Sequence, residues 1–247
     1  MTVRSDPARP LLLGLPHAGG SAIGAYPGWR GALEDLVQLE PLELPGRGRR
    51  VAEAACETLQ AAAADCAERV APATRGAPFA LIGHSIGGLL AYELDALLRR
   101  RDGPTPTAVI VAGTPAPCRG DRTEALHALP DDRFLAAVAK LGGLPDVVLE
   151  HPEARAFHTA VLRADYRLHE CYEPADPPHR IDAPLLVLLA ADDPLTCADD
   201  ARRWRRFAAR QLTTRTVPAA AHFFPVTHRD ETLSVVRSFL RRAPWGG

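Results

Sequence analysis

The chain has 247 residues, 47% of them hydrophobic, enough to bury one large core, and its length alone permits one or two domains. With 29 basic and 30 acidic residues the formal net charge is -1, which gives no electrostatic reason to expect nucleic acid or an anionic membrane as partner. The five cysteines, Cys56, Cys66, Cys118, Cys171 and Cys197, lack the close pairing of zinc sites and read as free thiols in a reducing compartment.

The first apolar run, from Leu11, is cut by Gly14 and Pro16 and is too short for a signal-peptide core. The longest later run, 185–191, falls far short of a bilayer span, so a soluble cytoplasmic protein is expected. Apolar runs of strand length predict strands at 10–15, 38–44, 78–84, 107–113, 184–191 and 212–217. Helical patterns fall between them at 25–37, 52–72, 86–101, 196–210 and 228–242. This alternation predicts an α/β fold with a mostly parallel central sheet and helices on both faces. Residues from about 118 to 180 break it with helical patterns at 131–141 and 153–173, split by Leu141-Gly142-Gly143-Leu144-Pro145. They read as a helical lid inserted into a single domain, over the strand ends where parallel sheets bind ligands.

The loop after the first strand, Leu15-Pro16-His17-Ala18-Gly19-Gly20, has glycines that let its backbone approach a ligand, and Ala18 is the expected N–H donor to an oxyanion. Gly83-His84-Ser85-Ile86-Gly87 satisfies G-x-S-x-G, with a buried-strand sequence before it and Leu90, Leu94 and Leu97 at helical spacing after it. Such a turn exposes a serine nucleophile, here Ser85, and supplies the second oxyanion donor from Ile86. A serine hydroxyl needs a base oriented by a carboxylate, in the chain order Ser, Asp, His. Asp192-Asp193-Pro194 follows the fifth strand and His222 the sixth, with room for one helix between them. Asp193, held by Pro194, is the chosen acid, with Asp192 the alternative.

Among the other histidines, His84 abuts the nucleophile with its side chain expected to point away. His127, His151, His158, His169 and His179 lie in the insertion, where solvated or packing roles are the default, and His228 reads as a surface residue. Arg47 and Arg50 read as loop-surface charges, and Arg202, Arg203, Arg205 and Arg206 around Trp204 as a solvated helix face.

Together the first loop, Leu44-Pro45-Gly46-Arg47, the serine turn, Leu162-Arg163-Ala164-Asp165-Tyr166, Asp193-Pro194 and His222-Phe223-Phe224 resemble the type II thioesterases that accompany polyketide and non-ribosomal peptide synthetases. The resemblance implies an α/β-hydrolase that removes acyl groups from the phosphopantetheine arm of an acyl or peptidyl carrier protein, with no metal or redox cofactor. Ala190-Ala191, where that family usually has glycine, is a departure. On the same scaffold an esterase or a product-releasing cyclase is the alternative reaction. A non-catalytic carrier-binding protein is the alternative of another class, and the intact Ser85, Asp193 and His222 set argues against it.

Overall fold

A computed structural model describes residues 9–118, 125–142 and 151–245. Six strands form one sheet: β1 (Leu11–Leu15), β2 (Gln38–Pro41), β3 (Phe79–His84), β4 (Ala108–Ala112), β5 (Leu185–Ala190) and β6 (Leu212–Val217). Their order is β2-β1-β3-β4-β5-β6, and every neighbouring pair is parallel. Parallel neighbours require crossovers that cover the sheet, so the inner strands are apolar on both faces. Leu13, Leu81, Val111 and Val187 point into one core, while Leu12, Ile82, Ile110 and Leu188 point into the other. The edge strand β6 carries Thr213, Thr214, Arg215 and Thr216, and this polar, exposed stretch discourages pairing with another chain.

Eight α-helices occur among the described residues: α1 (Trp29–Leu33), α2 (Leu59–Thr74), α3 (Ile86–Arg100), α4 (Asp131–Ala139), α5 (Pro152–Glu170), α6 (Ala198–Trp204), α7 (Phe224–Thr227) and α8 (Arg229–Leu240). Helices α2, α3 and α6 pack on the first core, and α1, α7 and α8 on the second.

Several helices are shorter than the periodicity predicts, each for a local reason. Helix α1 starts only after Gly28, whose φ of 77° is left-handed. Helix α2 starts at Leu59 because the Thr58 hydroxyl accepts the Ala61 N–H at 3.1 Å, a cap of about 1 kcal/mol. The residues before it stay irregular, with Arg50 paired to Glu53 and to Asp65. Arg50 is thus a structural tie rather than a free loop charge. Helix α6 ends at Trp204, which is fully buried and donates its indole N–H to the Thr114 carbonyl at 3.0 Å. Arg202 and Arg203 pair with Asp199 and Asp200 on the same helix.

Between β4 and β5 the α-helices among the described residues are α4 and α5, with α4 seated on α5. Phe134, Leu135 and Val138 of α4 meet Leu162 of α5 in a small cluster separate from the two main cores. The Glu170 carboxylate accepts the Leu126 and His127 N–H groups, and Arg163 donates to the Leu129 carbonyl. The far end of α5 belongs to the main body: Leu168 and Tyr172 join the first core, and the Tyr172 hydroxyl donates to Glu93 at 2.6 Å. Gly142 has a left-handed φ of 79°, and Gly143, Leu144 and Pro145 lie outside the described residues.

Candidate active site

All strands run the same way, so the loops after β1, β3, β5 and β6 meet at one edge of the sheet. Ser85 sits between β3 and α3 with φ 57° and ψ -123°, a conformation costing a non-glycine residue about 1–3 kcal/mol. The turn is held because the Ser85 N–H donates to the Ala112 carbonyl at 2.8 Å, while its carbonyl accepts from Thr114 at 2.9 Å. Its small neighbours are obligatory. A Cβ on Gly83 would lie 2.0 Å from the Gly87 carbonyl oxygen, and one on Gly87 would lie 2.3 Å from that of Leu15. Ile86 is the first residue of α3, so its N–H is among those a helix cannot satisfy internally.

The loop after β5 brings Asp193 to His222, with Nδ1 at 3.0 and 3.1 Å from the two carboxylate oxygens. Both residues are buried, at 6% and 3% exposure, whereas Asp192 is exposed. The Leu195 N–H and the Thr196 hydroxyl also donate to Asp193, each at 2.9 Å. Burial pushes the Asp193 pKa up, but the His222 hydrogen bond and these other donors outweigh it and hold the group below its ordinary value. With Nδ1 committed to Asp193, Nε2, on the other side of the ring, is the nitrogen left to act as a base. Gly113, beside the pair, has a left-handed φ of 56° that a side chain would strain.

A cavity of about 620 Å³ is lined by His17, Ala18, Ser85, Ile86 and His222, with Leu126, Val138, Leu141, Leu162 and Leu195 supplying an apolar wall. The structure therefore gathers Ala18, Ser85, Ile86 and His222 at one chamber, with Asp193 behind His222. Its size is that of a small-molecule site.

Sequence reasoning assigns no part in the site to three further contributors. The His84 ring lies 5.1 Å from that of His222, and its Nε2–H donates to the His222 carbonyl at 2.9 Å, tying the serine turn to the loop after β6. Its Nδ1 is buried with no hydrogen-bond partner among the described residues, which fits a neutral ring. Thr196, three residues after Asp193, is a signal that D-x-x-T spacing offers in hindsight. Arg47 is 4% exposed and paired with Asp165, so it is no surface charge.

Burial holds the pKa values of His84 and His17 below the ordinary histidine value, His84 well below. The unfolded chain binds protons at these positions below about pH 6.5, whereas the folded chain resists them. Their contribution to stability is full above that pH and is lost as pH falls toward the folded values, by up to about 1.4 kcal/mol per pH unit for each ring. Melting temperature measured from pH 7 to pH 5 should therefore drop less steeply in His84→Gln, which keeps a donor for His222, than in the parent. Identical slopes would mean that the His84 ring titrates normally.

The thioesterase-domain family model matches residues 10–240. The AMB antimetabolite synthetase AmbE of Pseudomonas aeruginosa is 34% identical over 99% of the chain, which spans only 11% of that protein's length. The solved structure of the thioesterase RedJ, from the prodiginine biosynthetic pathway in Streptomyces coelicolor, superposes with a TM-score of 0.86 at 35% identity, covering 94% of this chain and 92% of that one. The type II thioesterase BorB, from the borrelidin biosynthetic cluster, superposes at 0.81 with 30% identity, covering 97% and 94%. The resemblance carried by the sequence motifs thus extends over nearly the whole chain, which belongs to the thioesterase family and is a hydrolytic enzyme of the α/β-hydrolase fold.

Proposed function

We propose that this enzyme hydrolyses acyl groups from the phosphopantetheine arm of acyl or peptidyl carrier proteins, in the editing of polyketide or non-ribosomal peptide assembly. The observation that carries the chemistry is the Asp193–His222 pair opening onto the same apolar chamber as Ser85. In this reading His222 Nε2 takes the Ser85 proton as the oxygen attacks the thioester carbonyl, and Asp193 stabilises the resulting imidazolium. The N–H groups of Ala18 and Ile86 receive the oxyanion. The tetrahedral adduct expels the pantetheine thiolate, which takes the proton from His222, and leaves an acyl-Ser85 ester. Water, deprotonated by the same imidazole, then attacks that ester; the acyl C–Oγ bond breaks, His222 returns the proton to Ser85 Oγ, and a free acid leaves.

Kinship with thioesterases of antibiotic-type pathways supports a carrier-bound substrate. The test compares one acyl group presented on a carrier protein, on coenzyme A and as a simple ester. Carrier-bound substrate should give a kcat/KM at least about tenfold above the others, with linear acid as product. A preference for simple esters would make the protein an esterase, and a cyclic product would make it a cyclase. A folded protein whose Ser85 resists a fluorophosphonate would be a non-catalytic binder.

A further inference from the structure

Three segments that carry the family resemblance converge on one buried cluster, and only the loop after β1, through Ala18, enters the chemistry above. Asp165, on α5, accepts two parallel hydrogen bonds from Arg47 of the Pro45-Gly46-Arg47 turn, each at 2.6 Å. Its Oδ2 also accepts the Gly19 N–H, from the loop after β1, at 2.7 Å. Asp165 is 1% exposed, and Arg47 reaches on to the Gly20 carbonyl at 3.3 Å. Burial opposes the Arg47 cation, but its bonds to Asp165 outweigh this and raise its pKa above the ordinary value.

A buried ion pair rarely stabilises a fold more than apolar side chains of similar size would, so stability alone is a poor reason for this arrangement. Its position gives a better one. In the peptide joining Ala18 to Gly19, the N–H is held by Asp165 and the carbonyl accepts from His17 Nδ1 at 2.9 Å. In the preceding peptide, the His17 carbonyl accepts the Gly20 N–H at 2.9 Å, which leaves the Ala18 N–H as the group turned to other use. Leu162, one helical turn before Asp165, presses on the same loop, since a Cβ on Gly19 would lie 2.6 Å from its Cδ2. The loop is therefore fixed on both sides of its oxyanion donor.

We infer that Asp165, oriented by Arg47, is a positioning residue that sets the Ala18 N–H for the oxyanion through its hydrogen bond to Gly19. The inference rests on the acyl-enzyme reading. It makes the oxyanion site a joint product of the β1 loop and of α5.

The test uses two uncharged pairs of substitutions, so that neither leaves a buried charge unpaired. Arg47→Met with Asp165→Asn keeps an oxygen for the Gly19 N–H, whereas Arg47→Met with Asp165→Leu removes it. The leucine pair should lose about 10- to 100-fold in kcat relative to the asparagine pair, as expected for a small displacement of a reacting geometry, with KM nearly unchanged. Affinity for an alkyl boronic acid, whose tetrahedral adduct on Ser85 mimics the oxyanion, should fall by a similar factor. Equal kcat and equal boronate affinity in the two pairs, at whatever melting temperature, would overturn the inference. Should either pair fail to fold, amide exchange in the parent protein decides: the Gly19 N–H should be strongly protected, and rapid exchange there would overturn the inference equally. A parent protein without turnover that still shows a protected Gly19 would instead count against the acyl-enzyme reading alone.

Discussion

Ser85→Ala should fold normally and lose turnover of a carrier-bound thioester by about 10⁶-fold, leaving a residual rate of about 10³ over water from the oxyanion donors and binding. Alanine keeps the Cβ, so the strained φ of 57° and the bonds to Ala112 and Thr114 are unaltered, and the melting temperature should stay close to the parent's. His222→Ala should cost a similar factor, because an unactivated hydroxyl is as inert as a missing one. The double variant should then be little slower than either single one. Losses that multiply would show that Ser85 and His222 act independently, and turnover near the parent level in Ser85→Ala would remove the serine from the mechanism.

Asp193→Asn should reduce kcat by about 10⁴-fold with little change in KM. Its carboxylate now accepts from His222 Nδ1; an amide nitrogen turned toward the ring would donate instead and force the proton onto Nε2, where the base must be bare. The Leu195 N–H and the Thr196 hydroxyl both require acceptors, so the amide cannot satisfy all its neighbours at once. Asp192→Asn should leave kcat within about twofold, since that side chain is exposed and its backbone N–H keeps its bond to the Ala220 carbonyl. The reverse order in the two variants would transfer the acid's role to Asp192.

The strands and the serine turn were legible because their signals are local. A central parallel strand is a continuous apolar run, and G-x-S-x-G with its flanking strand and helix occupies one short stretch. Helix starts were less legible, because periodicity continues past the point where a cap or a left-handed glycine intervenes, as at Thr58 and Gly28. Arg47 was misread for a different reason. Its partner Asp165 lies 118 residues further on, and no window of sequence contains both. His84 and the His222 carbonyl are likewise 138 residues apart. A charge whose partner is that remote looks like solvent-facing surface, and a ring looks unengaged, until the chain is folded.

The small cluster of Phe134, Leu135, Val138 and Leu162 stands apart from the two cores that hold the sheet. Residues lining the chamber from this side, Leu126, Val138 and Leu141, belong to neither sheet core, and a change in their size falls first on the small cluster and on Ala18, which packs against it. Such separation is what divergence within a shared scaffold requires. Substitutions at Leu126, Val138 or Leu141 would reshape the chamber while the strand ends that carry Ser85, Asp193 and His222 keep their packing.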